Sequence, residues 1–130
     1  MLYRKILVVD DDEEILQLME KKLVAQGYQV IRAQLGMEAV EKARSQSPDL
    51  ILMDIVLPDI DGSEAVKLIQ QDPITKNIPV IFVSGILTKG EEGKSFLDIK
   101  VAGQQYQAFA KPFIFQSLLN EIQEALGEID

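Results

Sequence analysis

The sequence contains no cysteine and no histidine. Disulfide bonds, thiolate or imidazole metal ligands, cysteine nucleophiles and serine-histidine catalysis are therefore excluded. No apolar stretch approaches the roughly 20 residues that a membrane-spanning helix needs. The first residues also lack the apolar core and cleavage site of a signal peptide. We therefore expect a cytoplasmic protein without a membrane anchor, whose chemistry depends on carboxylates, hydroxyls and lysine.

Basic residues are also few: 13 lysines and arginines stand against 21 acidic residues, a net charge of −8. This balance repels phosphate backbones and argues against direct binding to nucleic acid or to anionic membranes. A basic partner or a bound cation fits the charge better. A chain of 130 residues, 47% of them hydrophobic, has room for one core. We therefore expect residues 1–130 to form a single domain.

Five strand-length apolar runs alternate with segments of helical periodicity. The runs cover residues 6–9, 28–33, 50–53, 80–83 and 108–110. The helical stripes cover residues 15–23, 37–43, 65–69, 96–101 and 115–126, of which 96–101 is the weakest. The first and third runs are apolar throughout, as in parallel strands covered on both faces. The pattern predicts a doubly wound α/β fold: a five-stranded parallel sheet with helices on both faces and a ligand site at the strands' carboxyl ends.

Carboxylates follow two of the predicted strands directly. Asp12 and the glutamates after it are explained as the cap and first turn of a helix. Asp10 and Asp11 have no such explanation, and Asp54 directly follows the third run. If strands one and three are neighbours, these three carboxylates meet, and carbonyl groups and water can complete an all-oxygen site suited to Mg²⁺ or Mn²⁺.

Two further polar residues end the fourth and fifth strands. Ser84 and Lys111 are ordinary loop residues when taken singly, and Asp54 alone is equally well explained as a turn residue. Their joint placement at one sheet edge has a chemical logic. A carboxylate is the nucleophile, a cation screens it from an incoming anion, and the hydroxyl and ammonium hold the anion's other oxygens.

Four motifs in order carry a family resemblance. They are Ile-Leu-Val-Val-Asp-Asp ending at Asp11, Leu-Ile-Leu-Met-Asp ending at Asp54 with the Leu-Pro-Asp-Ile-Asp-Gly that follows, Val-Ser-Gly at 83–85, and Lys-Pro-Phe at 111–113. Together they resemble the receiver domain of bacterial two-component response regulators, the group that includes the chemotaxis response regulator. The resemblance covers essentially the whole chain, and it implies the flavodoxin-like strand order 2-1-3-4-5.

The resemblance implies a role for each residue around the phosphoryl group. Asp54 would accept a phosphoryl group from a sensor histidine kinase or a phosphotransfer protein. Ser84 would bond a phosphoryl oxygen, and Lys111 would pair with the same group. The bond from Lys111 to Pro112 is expected to be cis. Such a protein is not an enzyme acting on other substrates, because it catalyses only its own phosphoryl transfer and dephosphorylation.

The resemblance also implies a Mg²⁺ site, with Mn²⁺ as an alternative cation. Asp11 and Asp54 would ligate the metal, with Asp10 acting directly or through water. The backbone carbonyl of Val56 would be a further ligand.

Two departures from the family pattern concern the output surface. Receivers usually carry an aromatic residue three positions before the lysine, where this chain has Ala108, and the Ser84 to Lys111 separation is several residues longer than usual. We expect phosphorylation to switch a surface around helix four, strand five and helix five, with an atypical helix four. Residues 86–105 are the predicted partner surface. The expected partners are a downstream protein or a separate output domain, and a homodimer formed on phosphorylation.

Two alternatives stay open from the sequence. A receiver-fold interaction module independent of phosphorylation is favoured by Ala108 and by the atypical helix four, although the intact acidic set argues against it. An aspartate-dependent phosphohydrolase would use Asp10 and Asp12 as nucleophile and acid. That class generally needs a threonine soon after the aspartates and a larger cap, and neither is visible.

Overall fold

The computed structural model describes residues 3–85 and 96–128. Its strands are β1 (Lys5–Val9), β2 (Gln29–Ala33), β3 (Leu50–Met53), β4 (Val80–Ser84), β5 (Phe96–Val101) and β6 (Gln104–Ala110). Its helices are α1 (Glu13–Ala25), α2 (Gly36–Gln46), α3 (Gly62–Gln71) and α4 (Phe115–Ala125). None of these helices is long and apolar enough to cross a membrane.

The strands form one sheet in the order β2-β1-β3-β4-β6-β5. All pairs from β2 to β6 are parallel, and Leu7 in β1 lies beside both Ile31 of β2 and Ile51 of β3. The predicted α/β class is confirmed, and β6 occupies the position expected for the fifth parallel strand. The carboxyl ends of β1, β3, β4 and β6 therefore meet at one edge.

The prediction of a five-stranded sheet with a helix over residues 96–101 is wrong. These residues form β5, which pairs antiparallel with β6 and adds a sixth strand at the end of the sheet. Ala102 and Gly103 connect the two strands, and both have positive φ angles, 49° and 85°. A two-residue loop with two positive φ angles is the tight turn that fits the twist of a β-hairpin. The described part of the predicted output surface, residues 96–105, therefore consists of β5, the turn and the start of β6, while residues 86–95 lie outside the described residues.

The helices bury a separate apolar layer on each face of the sheet. On one face, α1 and α4 contribute Leu16, Leu23 and Ile122, each at most 1% exposed. On the other face, α2 and α3 contribute smaller side chains such as Ala39 and Ala65, which are fully buried. Burying one large aliphatic side chain stabilises the fold by about 1.5–3 kcal/mol. The two layers hold the strands, and hence the residues at their carboxyl ends, in fixed positions.

Candidate functional site

Asp10 and Asp11 lie in the short connection between β1 and α1. The Asp10 amide donates to the Ala33 carbonyl at 3.0 Å, and the Asp12 amide donates to Asp10 Oδ1 at 3.0 Å. Asp12 caps α1, as predicted, by accepting from the amide of Glu14 at 2.9 Å. These bonds leave Asp10 only 4% exposed, while Asp11 is exposed. The connection thus presents one buried and one exposed carboxylate at the sheet edge.

Asp54 follows β3 and is held against the end of β1. Its amide donates to the Val9 carbonyl at 3.0 Å, and the residue is 7% exposed. Asp10, Asp11 and Asp54 each place a carboxylate oxygen within 4.8 Å of the others. The sequence-based expectation that these three carboxylates meet is therefore confirmed. Their oxygens are the ligand type that Mg²⁺ prefers.

Lys111 closes the site from the end of β6. Its ammonium Nζ donates to Asp10 Oδ2 at 2.5 Å and to Asp54 Oδ2 at 3.3 Å. Burial lowers the pKa of Lys111, but the hydrogen bonds and negative charges of Asp10 and Asp54 outweigh that effect, so its pKa lies above the ordinary lysine value. The Lys111–Pro112 bond is cis, as the resemblance implied. Lys111 therefore stays charged between the two buried carboxylates.

Ser84 reaches the same edge at the end of β4. The Lys111 amide donates to the Ser84 carbonyl at 3.1 Å. Ser84 Oγ and Asp54 Oδ1 are both buried and have no hydrogen-bond partner among the residues that the structure describes. Buried polar atoms are normally paired, so two unpaired ones at one strand edge indicate a place for a ligand. An anionic carboxylate oxygen suits a cation, and a hydroxyl can donate to an anion.

Gly62, at the start of α3, is a structural requirement that the sequence reasoning missed. A Cβ atom there would lie 1.9 Å from the carbonyl oxygen of Asp54. The Gly62 amide donates to the Ile55 carbonyl at 2.7 Å. The backbone of α3 can approach Asp54 this closely because residue 62 has no side chain. The sequence places Gly62 at the end of the motif that follows Asp54 but does not reveal this close approach.

Asp59 is a second residue whose role was missed. Its carboxylate accepts from the amides of Gly36 at 2.8 Å and Met37 at 2.9 Å, and so caps α2 from a neighbouring loop. Leu35, at the N-cap position itself, offers no such bond. The Met37 amide is the largest contributor that lowers the pKa of Asp59. The loop after Asp54 is therefore tied to α2 by a contact that no local pattern reveals.

Ala108 stands where receivers usually carry an aromatic residue, and the structure shows what surrounds it. Ala108 is fully buried and lies in the same core cluster as Tyr106, which is two residues earlier in β6 and further from the site edge. That ring packs edge-to-face on Phe82 with centroids 5.7 Å apart, and its hydroxyl contacts the amide of Gln70. Tyr106 is thus held in the core toward α3.

Val56 lies in the loop after Asp54 with its side chain 51% exposed. Its backbone carbonyl is a predicted metal ligand only through the family resemblance, and that role stays a prediction.

Comparison with known proteins places this geometry in a family. The model of the response regulator receiver domain matches residues 6–123. The polar-differentiation response regulator DivK of Brucella ovis is 34% identical over 125 residues, which cover 96% of this chain and 98% of that protein. The chain therefore belongs to the family of response regulator receiver domains.

Solved structures agree with that assignment. The receiver domain of a sensor histidine kinase from Pseudomonas aeruginosa PAO1, with a magnesium ion coordinated in its active site cleft, has a TM-score of 0.81 and 28% identity, and covers 97% of this chain and 99% of that one. Chemotaxis protein CheY4 of Vibrio cholerae has a TM-score of 0.80 and 28% identity, with 96% and 100% covered. Receiver domains are two-component signalling modules that interact with histidine kinases and with downstream targets.

Proposed function

We propose that Asp54 accepts a phosphoryl group from the phosphohistidine of a sensor histidine kinase or of a phosphotransfer protein. The observation that carries this proposal is the state of the Asp54 carboxylate. It is buried, its Oδ2 faces the Lys111 ammonium at 3.3 Å, and its Oδ1 has no hydrogen-bond partner among the described residues. A carboxylate held by a rigid sheet edge with one oxygen unengaged is a suitable nucleophile.

The proposed transfer is a single displacement at phosphorus. An Asp54 oxygen forms the new P–O bond while the P–N bond to the kinase imidazole breaks, and the electron pair of that bond passes to the imidazole ring. Lys111 offsets the negative charge of the phosphoryl oxygens, and the Ser84 hydroxyl, which has no described partner, donates to one of them. The same residues hold the acyl phosphate until water hydrolyses it.

The acidic cluster fits a divalent cation. We infer that Asp10, Asp11 and Asp54 would hold Mg²⁺, with the Val56 carbonyl as a further ligand and Mn²⁺ as an alternative, because all of these donors are oxygens. The unpaired Asp54 Oδ1 supports this inference. Bound Mg²⁺ would screen the carboxylates from the incoming phosphoryl anion.

The phosphoryl charge would act as a switch on the surface near β4, β6 and α4, within one receiver domain formed by residues 1–130. Ser84 ends β4, and Lys111 connects β6 to α4. Movement of either side chain toward a phosphoryl group would bias the position of these elements. A downstream protein or a separate output domain would recognise the changed surface, with or without phosphorylation-dependent pairing of two copies.

Labelling with a small phosphodonor tests the proposal directly. The protein is incubated with phosphoramidate and Mg²⁺, and intact mass spectrometry counts the phosphoryl groups gained. We expect one group, removed by hydroxylamine, and no label in Asp54→Asn or in EDTA. Asp61→Asn is the matched control, because Asp61 is an exposed carboxylate near Asp54 whose side chain makes no cap hydrogen bond. Equal labelling of Asp54→Asn would overturn the proposal.

A phosphorylation-independent interaction module is the second candidate. Ala108 favours it, because the buried methyl group replaces the aromatic ring that usually moves with the hydroxyl residue. In that case the protein would bind Mg²⁺ without being labelled.

A further inference from the structure

Gln70, near the end of α3, joins that helix to two strands through one amide group. Its Nε2 donates to the Val101 carbonyl of β5 at 3.2 Å and to the hydroxyl oxygen of Tyr106 in β6. An amide nitrogen carries two hydrogens, so both bonds can form at once. Gln70 is partly buried and Tyr106 is buried, so breaking the bonds would leave buried polar groups unpaired. We call these two bonds the Gln70 junction, and they hold α3 against the hairpin of β5 and β6.

The other end of α3 packs against the backbone of the acceptor residue. Gly62 begins the helix, and its amide donates to the Ile55 carbonyl at 2.7 Å. A Cβ atom on residue 62 would lie 1.9 Å from the Asp54 carbonyl oxygen, so the two backbones are in contact. Gly62 and Gln70 are about 12 Å apart along the helix axis. The helix α3 therefore connects Asp54 at one end to the Gln70 junction at the other.

A second line of contacts connects Ser84 to the same junction. Side chains two residues apart on a strand lie on the same face of the sheet, so Phe82 and Ser84 share a face of β4. The Phe82 ring packs edge-to-face on the Tyr106 ring, with centroids 5.7 Å apart. Ala108 is the register neighbour of Phe82 in β6, and its small side chain leaves room for the two rings to meet. The contacts from Ser84 therefore reach Gln70 through two rings.

We propose that Gln70 is a positioning residue that couples phosphorylation of Asp54 to α3 and β5, an inference that rests on the proposed function. Ser84 Oγ makes no hydrogen bond among the described residues, and donation to a phosphoryl oxygen draws the end of β4 toward Asp54. The Phe82 ring moves with β4 and displaces the Tyr106 ring that packs on it. Gln70 does not follow, because α3 is held by its contact with the Asp54 backbone. The Gln70 junction therefore loosens, since packed elements shift between discrete arrangements.

Both bonds of the Gln70 junction respond together. β5 and β6 are paired along their length as one hairpin, so Val101 moves with Tyr106. Phosphorylation thus releases the end of α3 from the hairpin, on the sheet face opposite α4. The junction stabilises the arrangement in which Ser84 is not drawn toward Asp54, and by linkage its removal favours the phosphorylated arrangement. Removing the Gln70 amide should therefore tighten the binding of a phosphoryl mimic.

Fluorine NMR of the wild-type sequence tests the movement of Tyr106. The chain has three tyrosines, which can be labelled as 3-fluorotyrosine. Beryllofluoride, added with Mg²⁺, mimics the phosphoryl group on Asp54. We expect it to shift the Tyr106 signal, which is assigned by its loss in Tyr106→Phe. The Tyr28 signal is the internal control and should stay in place, because Tyr28 lies in the apolar layer on the other face of the sheet.

Beryllofluoride affinity, measured by calorimetry in Mg²⁺, tests the role of the Gln70 amide. Gln70→Met removes the amide and nearly keeps the length of the side chain, and Gln71→Met is the matched control at an exposed neighbour. We expect Gln70→Met to lower the dissociation constant about fivefold, the factor that one net hydrogen bond represents, and Gln71→Met to leave it unchanged. Tyr106→Phe should also lower it. The double variant should bind no more tightly than Gln70→Met, because both changes break the same bond.

Phosphoramidate labelling separates the failure of this inference from the failure of the proposed function. A chain that takes up no phosphoryl group overturns both. If Asp54 is labelled, the role of Gln70 alone is overturned by a Tyr106 signal that does not respond to beryllofluoride. It is equally overturned if Gln70→Met binds beryllofluoride no more tightly than Gln71→Met, or if the effects of Gln70→Met and Tyr106→Phe simply add.

Discussion

Replacing Asp11 by asparagine should stabilise the metal-free protein and remove most of its response to Mg²⁺. Asp11 is the exposed member of the acidic cluster, and its carboxylate lies within 4.8 Å of those of Asp10 and Asp54. Among the residues that the structure describes, Lys111 is the one cation that forms ion pairs with this cluster. Asparagine keeps the shape of the side chain and removes one of the mutually repelling charges. The same change takes away a metal ligand, so its effect should reverse when Mg²⁺ is present.

The magnitude follows from the geometry. At the 4.8 Å limit and with the screening of water, each repulsion that Asp11 makes costs about 0.9 kcal/mol. Attraction to Lys111 offsets part of this, so we expect a net gain of about 1 kcal/mol without metal, or about 3 °C in Tm for a domain of this size. Mg²⁺ at one hundred times its Kd stabilises the wild type by about 2.7 kcal/mol. A variant that binds a hundredfold more weakly gains only about 0.4 kcal/mol at the same concentration.

Urea unfolding in EDTA measures the stability gain of the metal-free variant, and urea unfolding in Mg²⁺ measures how much the metal stabilises each protein. Asp61→Asn is the control, because it also removes one exposed acidic charge but lies outside the cluster. The order of stability between wild type and Asp11→Asn should reverse when Mg²⁺ is added. The reasoning is refuted if Asp11→Asn is less stable than the wild type in EDTA, or if it gains as much from Mg²⁺ as the wild type does.

Three further outcomes are expected. Gly62→Ala should lower the free energy of unfolding by about 3 kcal/mol and slow labelling, because its Cβ would overlap the Asp54 carbonyl; unchanged urea and labelling curves would contradict this. Val56→Asn should speed loss of the phosphoryl group, since an exposed apolar side chain beside the acceptor cannot orient water; an equal or slower decay would count against it. Lys111 has a raised pKa, so its ion pairs stabilise the fold below about pH 10 and this stabilisation is lost as pH rises through that pKa. The difference in the free energy of unfolding between the wild type and Lys111→Met should therefore shrink at alkaline pH. A difference that does not change with pH would contradict this.

Most of the fold could be predicted because its elements have strong local signals. Residues 50–53 form β3 as expected, and the stripe over residues 15–23 lies within α1. Residues 96–101 had no such signal. Their apolar positions fit a weak helical stripe, but residues 97, 99 and 101 also alternate as in a strand. The turn at Ala102 and Gly103 decides between the two, and its left-handed alanine is not visible in a hydropathy pattern.

The site was predictable wherever a residue directly follows a buried strand. Asp10, Asp54 and Lys111 all do so, and the sheet brings them together. Gly62 and Asp59 were missed because their roles are set by contacts between elements. One gives α3 room beside the Asp54 backbone, and the other caps a helix 23 residues earlier in the chain. Neither contact has a sequence period or a local spacing that could reveal it.

The most direct measurement identifies the labelled residue. After treatment with phosphoramidate and Mg²⁺, borohydride reduction converts an acyl phosphate on aspartate to homoserine, and peptide mass spectrometry locates it. The proposed chemistry predicts homoserine at position 54 and at no other aspartate, with none formed in EDTA. Homoserine at Asp10, Asp11 or Asp59 with Asp54 intact would contradict the assignment of Asp54 as the phosphoryl acceptor.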